Sequence, residues 1–277
     1  MTTSGSSAHG RFLLRMAPGL LLLLALGGCQ SVGRQDPILE LSAAESLAKG
    51  KELLGAEKPA QARPYLTHAF EVEPNSLAGR EGLLLAADSY YLEGGRVNLI
   101  QAEQRYKDFL NRFPTSDKAA YVQFQMANAL AGRIGRADRD LEASRKALAA
   151  YEDLLNLYPT SEYAREARGK ILVVKDSLAE HELGVGDFYL RFGMPVAAAK
   201  RYEYLLNNYP EYSKKETALY QLGVAHVQSG KREEAEKAFA RLSREFPDSA
   251  FLGKLPELPP APPAETPAPS GQGAPSR

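Results

Sequence analysis

The amino-acid sequence predicts an all-α protein, a solenoid of about five helix pairs stacked along the chain. Five prolines, Pro74, Pro114, Pro159, Pro210 and Pro247, each close an apolar-rich helical stretch. Before every one of them the same three positions recur. An alanine stands twelve residues ahead (Ala62, Ala102, Ala147, Ala198, Ala235) and a large side chain eight ahead (Leu66, Tyr106, Tyr151, Tyr202, Phe239). A further apolar residue stands five ahead (Ala69, Phe109, Leu154, Leu205, Leu242). A glycine twenty-four before the proline recurs at Gly50, Gly186 and Gly223.

These spacings have a physical reading. Steps of four and three residues put the alanine, the large residue and the apolar residue on one helical face. The alanine is small so that a neighbouring helix can cross closely, and the glycine occupies that crossing in the preceding helix. Proline cannot continue a helix, so it ends one and opens a turn. Four of the five turns read Pro-x-Ser, at Ser76, Ser116, Ser161 and Ser249, and the hydroxyl and carboxyl side chains there suit N-caps of the next helix.

Taken in chain order, the first helix pair ends at Pro74. The second carries about three extra residues near Glu93-Gly94-Gly95, and the third a longer insert, Ala131 to Arg139. The stretch Ser161 to Leu183 has no breaker, so Ser161–Phe192 reads as one long helix, with Gly184–Gly186 as the place for a bend. The fourth and fifth pairs are regular. No repeat can bury its apolar face alone, so the stack is expected to form one continuous core over residues 38–252. The period resembles the tetratricopeptide repeat, a helix–turn–helix of 34 residues, which implies a right-handed superhelix.

The ends of the chain differ from this body. Residues 1–28 read as a secretory signal, with Arg11 and Arg15 and no acid ahead of an apolar run from Met16 to Leu26. That run is too short for a spanning helix. It ends Leu26-Gly27-Gly28-Cys29, which looks like the lipobox of bacterial lipoproteins. Leu26, Gly27 and Gly28 would be recognised by the signal peptidase. The Cys29 thiol would take the lipid, and each buried methylene adds about 0.8 kcal/mol to anchoring. Residues 29–37 then form a lipidated linker, and Gln30 after the cysteine favours outer-membrane sorting. From 253 to 277 the chain reads as a Pro-rich disordered tail, with eight prolines and no aromatic residue after Leu255.

Composition removes several functions. The chain has 34 Lys+Arg and 34 Asp+Glu, which provides no electrostatic footprint for nucleic acid. One cysteine makes neither an internal disulfide nor a multi-cysteine zinc site. The four histidines form no metal-binding pattern, Gly184-Val185-Gly186 is only a fragment of a dinucleotide fingerprint, and no phosphate loop or nucleophile elbow is present. Neither cofactor, metal nor catalytic residue is expected. The protein is expected to work by contact and not to be an enzyme.

Three stretches carry a more specific resemblance. They are Asp138-Arg139-Asp140 through Arg145 and Ala147 to Leu157-Tyr158-Pro159, then Ile171 to Tyr189, then Gly193 to Tyr202 and on to Tyr209-Pro210. With the lipobox they resemble the outer-membrane protein assembly factor BamD family, although Leu141 stands where that family has a proline. The resemblance implies a lipid-anchored scaffold on the periplasmic face of the outer membrane. Its implied partners are a β-barrel assembly subunit with POTRA domains, unfolded outer-membrane protein substrates and other assembly lipoproteins. Arg201 matches an arginine of the family's docking region, and Arg139 and Arg145 are further candidates for partner contact. Tyr90, Tyr91 and Tyr121 are candidates to line an N-terminal groove, with inter-helix packing as their competing role. A pilotin-like or other cell-envelope repeat lipoprotein would share the repeat and the lipobox. An envelope hydrolase would need a region that the repeats leave no room for.

Overall fold

A computed structural model describes residues 36–135 and 141–260. Leu26, Gly27, Gly28, Cys29 and Arg139 lie outside the described residues. The chain divides into two compact units, Met1–Asp36 and Pro37–Arg277, and the second contains the repeats. Among the described residues it has ten α-helices and no strand. The first five are α1 (Ala43–Gly55), α2 (Pro59–Val72), α3 (Leu77–Glu93), α4 (Gly95–Arg112) and α5 (Ala119–Ala131). They are followed by α6 (Leu141–Leu157), α7 (Ala164–Arg191), α8 (Pro195–Asn208), α9 (Lys215–Gln228) and α10 (Arg232–Glu245). Each helix packs mainly on the one before it and the one after it, so the unit is a solenoid of five helix pairs.

The recurring side chains make the pairs. All five alanines and the large residues Leu66, Tyr106, Tyr151 and Tyr202 are fully buried, and Phe239 is nearly so. Gly50, Gly186 and Gly223 lie directly against Leu66, Tyr202 and Phe239 of their own pairs, and a Cβ at any of them would overlap those side chains. Glycine is therefore needed for packing, not for backbone freedom. In the three pairs with tyrosine, the hydroxyl donates to a polar side chain on the preceding helix. The acceptors are Asp88 for Tyr106 (2.7 Å), Asn128 for Tyr151 (2.6 Å) and Asp187 for Tyr202 (2.6 Å). Asp187 follows Gly186, and Asp88 and Asn128 likewise follow the fully buried Ala87 and Ala127. The crossing residue thus exists in every pair. The extra residues after α3 and α5 shift it in sequence, so a glycine at the fixed spacing marks the crossing in only three; Gly135, also twenty-four before its proline, lies beyond α5 with nothing within 4 Å of a Cβ there.

Two expectations are corrected. The core is not one continuous body but four adjacent clusters, spanning α1–α3, α3–α5, α5–α7 and α7–α10. Helix α7 joins the last two. It is one uninterrupted helix of 28 residues, about 42 Å long. Its first half (Ala167, Ile171, Val174, Leu178) packs with α6 and its second half (Ala179, Leu183) with α8. Of the Pro-x-Ser serines only Ser76 is an N-cap, accepting from Gly79 N at 3.0 Å. After Pro114 and Pro159 a hydrogen-bonded turn intervenes, closed by Ala119 N to Ser116 O and Ala164 N to Ser161 O, and the helix starts beyond it. The described part of the Pro-rich segment runs beside the last pair. Phe251 stacks on Tyr220, and Arg232 Nη1 donates to Pro259 O at 2.8 Å. Among the described residues no helix is long and apolar enough to cross a membrane.

Candidate functional site

A groove of 910 Å³ opens at the junction of α3, α4 and α5. Its volume falls within the range of about 300–1,000 Å³ usual for ligand pockets. Helix α3 contributes one stripe, Leu77, Arg80, Glu81, Leu84, Leu85 and Asp88, spaced as consecutive helical turns require. The opposite wall is the last turn of α4 (Phe109, Arg112, Phe113) and the turn Pro114 to Lys118. Tyr121 of α5 and Tyr163, just ahead of α7, close one end. Leu77 forms a lip that is 86% exposed. Arg80 lies over the Phe113 ring (5.2 Å) and Arg112 over Phe70 (5.4 Å), so both cations are held beside apolar walls.

Asp88 sits at the floor and is buried. Burial pushes its carboxyl up to about 6, against the opposing pull of hydrogen bonds from Tyr106 and Tyr121. The Tyr121 hydroxyl also accepts from Gln125 Nε2 at 3.0 Å. Burial first, then the Asp88 charge, raises the Tyr121 phenol as well. The floor is a buried polar spot in a groove that mixes apolar and charged side chains.

Of the three tyrosine candidates, only Tyr121 lines this groove. Tyr90 faces α2, where Arg63 lies 3.6 Å from its ring centroid and is itself held by Ser89 and Glu93. Tyr91 continues the α3 stripe beyond Asp88 but is half-buried. Burial and the nearby Glu166 raise its phenol. Sequence reasoning missed Asp88, Glu81, Phe109 and Phe113. The available signal for the first was a carboxylate within the apolar stripe of α3.

Two of the arginine candidates, Arg145 on α6 and Arg201 on α8, are linked through Tyr209 and Glu182 on either side of α7. Arg201 Nη1 contacts Glu182 Oε2 at 3.2 Å. Its side chain is 45% exposed against 10% for Glu182, so the guanidinium still presents donors to solvent. Arg145 is exposed on α6. Tyr209 lies within the charge influence of both Arg145 and Glu182, and packs edge-on against Tyr204. His226, buried on α9, has Nε2 3.6 Å from Glu203, and burial lowers its pKa. Among the described residues no group of three His, Cys, Asp or Glu side chains is arranged to hold a metal.

A family model described as outer membrane lipoprotein (YfiO) matches residues 40–242. The chain is 28% identical over 230 residues to the outer membrane protein assembly factor BamD of Caulobacter vibrioides, covering 82% of this chain and 74% of that protein. It is 27% identical over 240 residues to the protein of that name from Rickettsia prowazekii, covering 86% and 94%. For Neisseria meningitidis serogroup A the identity is 25% over 240 residues, covering 83% and 90%. Among solved structures it is similar to the TPR2AB-domain:pHSP90-complex of yeast Sti1, with a TM-score of 0.41, 16% identity and coverage of 75% of this chain and 78% of that one.

Proposed function

The chain belongs to this family of outer membrane lipoproteins, and we propose that it is an outer-membrane protein assembly factor that works as a scaffold and not as a catalyst. The observation that carries the reading is the presence of two dissimilar surfaces on one solenoid. The groove of α3–α5 combines apolar walls with charged side chains over a polar floor, and suits extended, unfolded chain. The junction of α6, α7 and α8 presents arginine and tyrosine, residue types that dominate protein–protein contacts. A stiff helical stack holds the two at a set separation, so that a substrate taken by one is delivered beside the partner docked on the other.

In this reading the groove receives unfolded outer-membrane proteins. Arg201 and Arg145 face a carboxylate-bearing surface of a β-barrel assembly subunit with POTRA domains, and other assembly lipoproteins join the same complex. Cys29 carries the lipid that confines the protein to the periplasmic face of the outer membrane. Confinement raises the effective concentration of each partner, so that weak contacts suffice.

Affinity purification of the full chain from detergent-solubilised membranes tests this. The wild type is expected to bring down a barrel-assembly subunit. Arg145→Glu and Arg201→Glu should each reduce its recovery at least about tenfold, the cost expected for reversing one buried interfacial charge pair, with circular dichroism unchanged. Recovery of a secretin instead, or undiminished recovery with both variants, overturns the reading.

A further inference from the structure

Three helix junctions in this chain are built alike, and one is filled by a tyrosine at the third position of its own turn. At the α7–α8–α9 junction Tyr212 stands two residues after Pro210. It is 5% exposed and belongs to the same apolar cluster as Leu183 and Leu205, with Tyr209 packed against it. Its hydroxyl donates to Glu180, and Lys214 Nζ holds that carboxylate at 2.9 and 3.0 Å. At the α5–α6–α7 junction the corresponding position is Ser161, and a different, partly buried ring, Tyr163, lies two residues further on. It stacks on Phe124 with ring centroids 5.2 Å apart and meets Tyr121 edge-on at 5.8 Å.

The α3–α4–α5 junction has the same frame, but its turn supplies no ring. The register is set by the paired hydrogen bonds of Tyr106 on Asp88 and Tyr202 on Asp187. Counting from them, Glu81 takes the place of Glu180, Leu84 of Leu183, Phe109 of Leu205 and Phe113 of Tyr209. Glu81 also has a lysine partner, Lys51 of α1 at 2.6 Å, whereas Lys118, at the place of Lys214, lies 3.5 Å from Asp117. At the place of Tyr212 stands Ser116, whose short side chain accepts from Lys118 N at 3.1 Å. The groove is the space that a ring fills elsewhere in the chain.

We infer that this groove takes a tyrosine side chain from an extended segment of the partner protein, with its ring against Leu84, Phe109 and Phe113 and its hydroxyl donating to Glu81. The inference rests on the groove being the substrate surface proposed above, and adds what the surface selects. Asp88, one step deeper, is already engaged by two phenols, so Glu81 is the acceptor within reach of a newcomer. A phenol satisfies that carboxylate as it becomes covered, whereas a phenyl ring covers it and leaves it short of a donor. Sites built to hydrogen-bond a hydroxyl reject the analogue lacking it. The internal copy in α7–α9 shows that the stack accommodates this arrangement without distortion.

Two acetylated, amidated peptides of extended sequence, identical except for a central tyrosine or phenylalanine, test the inference with the full-length protein by fluorescence anisotropy. The tyrosine peptide is expected to bind roughly tenfold more tightly, the difference that one hydrogen bond to a charged group commands. Glu81→Gln should erase the preference while leaving the phenylalanine peptide's affinity in place. Glu81 and Lys51 form an exposed pair, so this variant folds. Ser116→Tyr should supply the missing ring from within and abolish binding of both peptides. Equal binding of the two peptides, or a preference that survives Glu81→Gln, overturns the tyrosine inference. If both peptides bind equally and Ser116→Tyr still blocks them, the groove remains a binding surface and only its selectivity is misassigned. If neither peptide binds and Ser116→Tyr leaves capture of unfolded barrel protein unchanged, the groove reading itself falls with it.

Discussion

The junction of α3, α4 and α5 and the junction of α7, α8 and α9 share their buried alanine, their buried tyrosine and the carboxylate that receives its hydroxyl. One is an open groove and the other is core. The difference lies in the turn, where Ser116 in one corresponds to Tyr212 in the other. In a stack of helix pairs the crossing positions are constrained from both sides, because a larger alanine or a smaller ring would spoil the packing. The third residue of the proline turn meets no such constraint. Between these two junctions it separates an open groove from a filled core.

The largest expected effect tests the closed side. Tyr212→Ala removes a buried ring from the α7–α10 cluster and should cost about 3–5 kcal/mol of unfolding free energy, as other aromatic truncations in cores do. Ser116→Ala, at the corresponding place in the open junction, should stay within about 0.5 kcal/mol. Denaturant titration of both variants checks this. Equal costs would mean that the two junctions are not an occupied and an open version of one frame.

The next effect concerns the floor of the open junction. An unfolded aspartate titrates near 3.8, and burial moves Asp88 to about 6 in the folded chain. Below the lower value both states hold the proton and its burial costs little. As pH rises through the window, the unfolded chain releases the proton first and the folded state loses about 3 kcal/mol relative to it. Above about 6 the deficit is constant. The Asp88→Asn variant should therefore be relatively more stable at pH 7 than at pH 4, by about that amount. The measured quantity is the difference between wild type and variant in denaturant midpoints at the two pH values. A difference independent of pH would show that water reaches Asp88 and that the groove floor is wet.

The parts of the fold readable from sequence were those with a local or periodic cause. The spacing of Ala147, Tyr151 and Leu154 before Pro159 is set by helical geometry, and the long α7 follows from a run without breakers. What was not readable depended on how helices cross. Tyr90 and Tyr91 are neighbours on α3, yet one turns to α2 and the other lies beyond the groove, because adjacent helical positions point about 100° apart and the packing of the neighbouring helices decides which is covered. The expected cap at Ser116 failed because a further turn precedes α5, a choice made by packing and not by the hydroxyl. The site itself left two traces. Asp88 interrupts an apolar stripe, and Pro210-Glu211-Tyr212 is the one turn of five without serine. The second trace marks where the chain fills its own groove, and its meaning emerges only once the two junctions are superposed in register.

The smallest expected effect separates architecture from recognition most cleanly. Lys51 on α1 and Glu81 on α3 form an ion pair with side chains 47% and 46% exposed, and pairs of that kind contribute about 0.2–1 kcal/mol. Lys51→Met should therefore leave the denaturant midpoint almost unchanged. In the closed junction, however, the lysine has a second role, since Lys214 holds Glu180 where the Tyr212 hydroxyl can reach it. If Lys51 positions Glu81 in the same way, Lys51→Met should weaken binding of the tyrosine peptide by a few-fold, the scale of an exposed ion pair, and spare the phenylalanine peptide. Stability and selectivity would then be carried by different residues of one junction. A variant that weakens both peptides equally would instead assign Lys51 to the general electrostatics of the groove, and the correspondence between the two junctions would end at their apolar walls.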